Sequence, residues 1–124
     1  MTPYPLRFNT VTLNEIDGIK LNNNSNDNTL QSNTVAGNLV DGIHLNNSDG
    51  NTLRLNSANG NPLNGIELDE DSDNNNLNSN NAFDNGSFGF DDGTGGIGNN
   101  FLNNNCDGNF AGGSDPSGLC APQL

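Results

Sequence analysis

Chemically matched residues recur down this chain every 23 or 24 positions. That is the mark of a solenoid, in which each repeat buries its apolar strip against the next. Leu6, Leu30, Leu53, Leu77 and Phe101 make one apolar column. Three residues further along each repeat stand Asn9, Asn33, Asn56, Asn80 and Asn104. A column of small residues follows, Val11, Val35, Ala58, Ala82 and Cys106, and then a second asparagine column, Asn14, Asn38, Asn61, Asn85 and Asn109. The last is a pair, Ile19/Leu21, Ile43/Leu45 and Ile66/Leu68, which the apolar pattern continues with Phe88/Phe90.

Within a repeat, runs such as Ile19-Lys20-Leu21 and Ile43-His44-Leu45 alternate inward and outward, the period of a short strand. Asn, Gly, Ser and Asp between the runs suit tight corners. No segment carries an apolar 3.6-residue rhythm long enough for a helix. Strands this short need partners above and below, at about 4.8 Å per coil. The expected fold is therefore all-β, a right-handed parallel β-helix of four to five coils of about 24 residues. Residues 1–5 read as a lead-in, 6–109 as the repeats and 110–124 as a capping tail. The 29 Asn are assigned mainly to scaffold, since a buried corner amide can bond its counterpart one coil away.

Only 30% of the residues are hydrophobic and the net charge is −12, values that outside a repeat would suggest disorder. The bases are Arg7, Lys20 and Arg54 alone, so a nucleic-acid backbone or an anionic membrane finds little to neutralise it. Residues 63–124 carry ten acids and no base. No stretch approaches the roughly 20 apolar residues of a membrane span. The opening residues lack a signal-peptide core. A leader outside this sequence or a longer parent protein is expected, the second for preference. An uncapped first coil also points to upstream coils or end-to-end self-association.

The stretch 41–56, Asp-Gly-Ile-His-Leu-Asn-Asn-Ser-Asp-Gly-Asn-Thr-Leu-Arg-Leu-Asn, recurs at 17–33 and more loosely at 64–80. It resembles the repeats of the pectin-lyase-like superfamily, and is similar in particular to the periplasmic copper-binding, nitrous-oxide-reductase maturation type. That resemblance spans about residues 6–109 and implies the fold. It implies no single activity, because the superfamily includes lyases, hydrolases, epimerases, adhesins and inert scaffolds. Copper does not carry over, since His44 is the only His and has no partner ligand.

Few residues are left over for chemistry. Asp69, Glu70, Asp71 and Asp73 follow one strand, and Asp91 and Asp92 follow the next. The apolar register would stack Asp69 near Asp91 and Glu70 near Asp92. Carboxylates with asparagine carbonyls nearby are ligands of the kind Ca²⁺ takes, and a solvated acidic corner is the plainer reading. Lys20, His44 and Glu67 form an outward row that could floor a glycan-binding groove, with His44 an exposed position. Cys106 and Cys120 are expected to form a disulfide that folds the tail over the last coil, which implies an oxidising compartment. The arginine or lysine base of a lyase, and the histidine and basic motif of a hydrolase, are not found near the acids, so no catalytic residue is assigned.

The sequence thus reads as a non-catalytic module of a secreted or cell-surface protein, with the periplasm also open to it. Its role is structural or polysaccharide-binding, with Ca²⁺ the one candidate cofactor. The alternative is the C-terminal part of a polysaccharide-acting enzyme whose catalytic coils lie upstream.

Overall fold

A computed structural model describes residues 5–93 and 96–123, so the expected lead-in lies, apart from Pro5, outside the described residues. The chain winds as a β-solenoid of three parallel sheets. Sheet A stacks β1 (Leu6–Arg7), β4 (Thr29–Gln31), β7 (Thr52–Arg54), β10 (Asn76–Asn78) and β12 (Asn100–Leu102). Sheet B stacks β2 (Thr10–Thr12), β5 (Thr34–Ala36) and β8 (Ser57–Asn59), and bridges at Asn81, Asn105 and Ala121 prolong it. Sheet C stacks β3 (Ile19–Asn22), β6 (Ile43–Asn46), β9 (Ile66–Leu68), β11 (Phe88–Asp92) and β13 (Gly112–Asp115). No described residue is helical.

The sequence columns become the interior. Leu30, Leu53 and Leu77 of sheet A face Val35, Ala58 and Ala82 of sheet B, with Ile43, Leu45, Ile66, Leu68 and Phe90 closing the third side. Phe90 meets Phe101 edge to face, their centroids 6.2 Å apart.

The corner after sheet A is made by a residue in the left-handed region followed by an asparagine. Phe8, Ser32, Leu55, Ser79 and Asn103 all have φ between 54° and 58°, and each precedes a member of the first asparagine column. Left-handed backbone turns the chain within one residue and brings the next side chain inward. The inward amides then form a ladder. Asn33 gives its backbone N–H and its side-chain Nδ2 to Asn56 Oδ1, both at 3.0 Å, and a second Nδ2 proton to Leu6 O at 2.9 Å. Asn56 repeats this toward Asn80 and Leu30 O, and Asn80 toward Asn104 and Leu53 O. The second column makes the same ladder through Asn38, Asn61, Asn85 and Asn109. A third ladder, Asn28, Asn51, Asn75 and Asn99, was not singled out from the sequence although its spacing is as regular.

Sheet C corrects the expected register. Phe90 lies over Ile66, Asp91 over Glu67 and Asp92 over Leu68. Asp69 therefore does not stack on Asp91, nor Glu70 on Asp92. The cause is a column of glycines, Gly18, Gly42, Gly65, Gly89 and Gly113. A Cβ on Gly42 would meet Gly65 O at 2.6 Å and Asn61 Nδ2 at 2.8 Å, and one on Gly65 would meet Gly89 O at 2.7 Å. These close approaches lock Gly89 above Gly65, so Phe88 takes a corner position and Phe90 the core position.

Sheet C also continues past 109, because β13 pairs with β11. Beyond it Cys106 and Cys120 are disulfide-bonded, and Ala121 donates to Asn104 O while its carbonyl accepts from Cys106 N. The tail so lies against the last coil on its sheet B and sheet C sides. Closing a loop of this size stabilises by about 3 kcal/mol in the chain-entropy view.

The ladder makes a test. Asn56→Ala removes an acceptor of two bonds and strands donors on Asn33 and Leu30's carbonyl, so chemical denaturation should register a loss of about 3 kcal/mol. Asn76→Ala, on the exposed face, should cost under about 0.5 kcal/mol. Equal losses would show that the ladder is not what holds the coils.

Candidate functional site

A row of residues, one from each coil, runs along the outward face of sheet C. Lys20 lies beside His44, His44 beside Glu67, Glu67 beside Asp91 and Asp91 beside Asp115. Lys20, His44 and Glu67 are thus adjacent as expected, and the row goes on into two acids.

A second set of groups reaches this row from the corner before β3, β6 and β9. Asp17, Asp41 and Asn64 form a ladder of their own: Asp41 donates its backbone N–H to Asp17 Oδ1 at 3.1 Å, and Asn64 its N–H to Asp41 Oδ1 at 2.8 Å. An asparagine rung uses its NH₂ to satisfy the neighbouring coils, whereas a carboxylate has no such donor. Its second oxygen turns outward instead. Asp17 Oδ2 lies 3.1 Å from His44 Nδ1 and 3.6 Å from Lys20 Nζ. The Asp41 carboxyl meets that of Glu67. Asn64 gives an Nδ2 proton to Asp91 Oδ2 at 3.5 Å.

His44 is therefore not a plain exposed side chain. Its imidazole is 13% exposed, held between Asp17 and Asp69 Oδ1, the latter 3.1 Å from Nε2. That second approach is an ion-pair distance but lies outside hydrogen-bond geometry. Burial alone would lower the imidazolium pKa, yet the Asp17 bond and the Asp69 and Glu67 charges outweigh it and raise it. Asp41, almost wholly buried, is pushed up to about 8, first by burial and then by its bond to Glu67, against the opposing N–H of Asn64. Asp91 is pushed up to about 6 by burial and then by the charges of Glu67, Asp115, Asp92 and Asp69. The centre of the face is the Asp41 and Glu67 carboxyls side by side, next to an imidazole flanked by two carboxylates.

Next to it lies a groove of about 430 Å³, lined among others by Glu67, Asp69, Glu70, Asp71 and Asp91. A second hollow of about 300 Å³ adjoins it between Asp91, Asp92, Asp115 and Pro116. Of the six acids singled out in sequence, four line the first groove. Asp73 stands apart in a corner ladder, donating its N–H to Asp49 Oδ1 and accepting from Ile97 N. Asp92 accepts from Asn99 Nδ2 at 2.9 Å, and burial raises its pKa while that bond opposes the rise. Asp17, Asp41 and Asp115 were missed. Asp17 and Asp41 are 24 apart and each precedes a glycine of the close-packed column, a signal that reads as scaffold until the carboxylate's missing donor is considered.

Residues 5–115 match the family model described as periplasmic copper-binding protein (NosD). The chain belongs to the NosD family. Among solved structures it is similar to the periplasmic alginate epimerase AlgG. A double-mutant form of that enzyme is 25% identical, with a TM-score of 0.69 over 81% of this chain and 25% of that one. The AlgG structure without mutation is 24% identical, with a TM-score of 0.69 over 85% and 28%. This NosD-family chain so spans about a quarter of the epimerase's length. No curated protein matches it. Family and structural relative are both periplasmic, and this chain holds a disulfide, so it is a protein of the periplasm or the cell exterior.

The raised carboxyls fix a pH dependence. A group that keeps its proton longer in the folded state contributes stability at low pH that is lost as pH rises toward the folded pKa. For Asp41 that window runs from the ordinary value of 3.8 up to about 8. Melting temperature should therefore fall between pH 5 and pH 9 in the native chain. Asp41→Asn keeps the acceptor for Asn64 and supplies a donor to Glu67. It should flatten the profile and raise the melting temperature at pH 8 by several degrees; an unchanged slope would remove Asp41 as the source.

Proposed function

We propose that this chain is a non-catalytic β-helix module of a periplasmic or extracellular protein, and that the outward face of sheet C binds a neutral or amine-bearing polysaccharide. The observation that carries this reading is the continuous row Lys20, His44, Glu67, Asp91 and Asp115, which offers a polar group at each coil along a flat sheet beside an open groove. Its acidity disfavours a polyuronate, which would meet like charge at every coil. Affinity electrophoresis through gels holding neutral, cationic or anionic polysaccharide tests it. Retardation by a neutral or cationic polymer, weakened by Glu67→Gln with Asp91→Asn, is expected. Free migration through all of them would sink the proposal.

Calcium belongs to the same face. Asp69, Glu70, Asp71 and Asp91 line one groove, and Asn46 donates to Asp69 there. Hard carboxylate oxygens are suitable Ca²⁺ ligands, and neutralising them would relieve mutual repulsion. The expected result is a higher melting temperature in millimolar Ca²⁺ than in chelator, with a smaller effect of Mg²⁺ at equal ionic strength. Equal effects of the two ions would leave only charge screening.

Copper, named in the family's description, does not enter. His44 is the sole histidine with both ring nitrogens against carboxylates, and both cysteines are bridged, so a set of nitrogen or thiolate donors is lacking. A second reading, part of a polysaccharide-acting enzyme, rests on the likeness to AlgG. In it Asp41 and Glu67 beside His44 would act with residues from other coils. Turnover of a polysaccharide by the chain alone, abolished by His44→Gln, would favour that reading.

A further inference from the structure

Two electron-pair donors face one another between the coils of β6 and β9. His44 Nε2 and Asp69 Oδ1 stand 3.1 Å apart, outside hydrogen-bond geometry, and Nε2 is shielded from solvent with no hydrogen bond of its own. A carboxylate oxygen of Glu67 joins them, the three residues offering ligand atoms within 4.8 Å of one another. A buried polar atom left without a partner costs free energy, and a bound cation would relieve that cost. Zn²⁺ bonds imidazole nitrogen and carboxylate oxygen at about 2.0–2.2 Å, which sets neighbouring ligands of a tetrahedron about 3.3 Å apart. Nε2 and Oδ1 are spaced as two such ligands.

From this we infer that His44, Glu67 and Asp69 form a zinc site on the outward face of sheet C, with a water molecule as the fourth ligand. Three protein ligands and one water are an ordinary complement for Zn²⁺. Each of the three side chains is held by a further group. Asp17 Oδ2 lies 3.1 Å from His44 Nδ1, so the ring keeps its proton there and turns Nε2 toward Asp69. Asn46 donates an Nδ2 proton to Asp69 Oδ2, which leaves Oδ1 for the metal. The Asp41 carboxyl meets that of Glu67. Such outer partners orient the ligands of a metal centre.

The strands do the rest of the positioning. His44 and Glu67 are register partners on β6 and β9, and Asp69 follows Glu67 by two residues. The groove lined by Asn46, Glu67 and Asp69 gives an ion its way in. Donor chemistry selects which ion. One imidazole with two carboxylates suits Zn²⁺, whereas Ca²⁺ takes oxygen alone. His44 is the sole histidine and both cysteines are bridged, so no other imidazole or thiolate competes for the metal. The site shares Asp69 with the calcium groove but requires the imidazole, and it needs no bound polysaccharide.

Calorimetric titration of the chelator-stripped intact chain with zinc chloride tests the site. One equivalent is expected to bind. His44→Gln places a polar side chain in an outward column that already holds Lys20 and Glu67, so circular dichroism and metal-free melting should stay native. It should weaken zinc at least about tenfold, since losing a ligand costs no less than losing an outer partner. Asp69→Asn should do the same. Glu70→Gln with Asp71→Asn removes two charges beside the site and no ligand. At physiological ionic strength, where screening weakens their pull, that pair should change zinc affinity less than about threefold. Co²⁺ in place of zinc should show the strong visible bands of a tetrahedral site, and His44→Gln should abolish them. A chain that takes up no single equivalent of zinc would be a salt-bridged imidazole and nothing more, and would overturn the inference. So would zinc affinity unmoved by His44→Gln, or an equal loss in the Glu70 and Asp71 variant.

Discussion

A buried amide that bonds the same amide one coil away is the interaction on which the molecule rests. With 30% hydrophobic residues the chain has little apolar surface to bury. Each coil supplies a few inward aliphatic side chains, and their packing gains only a modest free energy per coil. The ladders add directional bonds inside a low-dielectric strip, where a satisfied amide is strong and an unsatisfied one costly. They also set the pitch, since every rung must meet the next at hydrogen-bond distance. The left-handed residue before each asparagine is part of the same device, because it aims the amide inward. Phe8, Leu13 and Leu55 hold that conformation without being glycine, at a cost of about 1–2 kcal/mol each that the ladder must offset.

The candidate site arises where the ladder chemistry changes. Asp17 and Asp41 accept a backbone N–H as an asparagine does, yet have no amide protons to give. Their second oxygens turn to the outward face, where Asp17 meets His44 and Lys20 and the Asp41 carboxyl meets that of Glu67. Replacing two amides by carboxyls in an otherwise uniform scaffold thus moves charge from corner to surface. That scaffold belongs to the NosD family, and within this chain the two replacements set the sheet C corner apart from the asparagine corners.

Much of the architecture was legible because stacking is a one-dimensional problem. Residues at matched positions share an environment, so the Leu6 and Asn9 columns declared the coils, and Cys106 with Cys120 declared a disulfide. Sheet C was misjudged because Phe88 and Phe90 imitate the Ile-x-Leu pair two residues early. Hydrophobicity says which residues are inward, but the approach of Gly65 to Gly89 decides the register, and close packing leaves a fainter mark than an apolar stripe. The misreading of His44 has another origin. Alternation places it outward correctly, but nothing in a strand pattern shows that side chains from the coils below and above fold over it.

The covered end has a consequence for how the molecule comes apart. In a solenoid each coil contacts only its neighbours, so order is lost by peeling from an end. The bridge between Cys106 and Cys120 ties the last coil to its cover and removes that end as a starting point. Peeling from that side must first break the bridge, so the coils next to it are held longest. The acidic face around Glu67 and Asp91 lies toward the fastened end, and so it is among the last parts to loosen. The chain behaves as a zipper with a stop at that end, and its acidic face is set beside the stop.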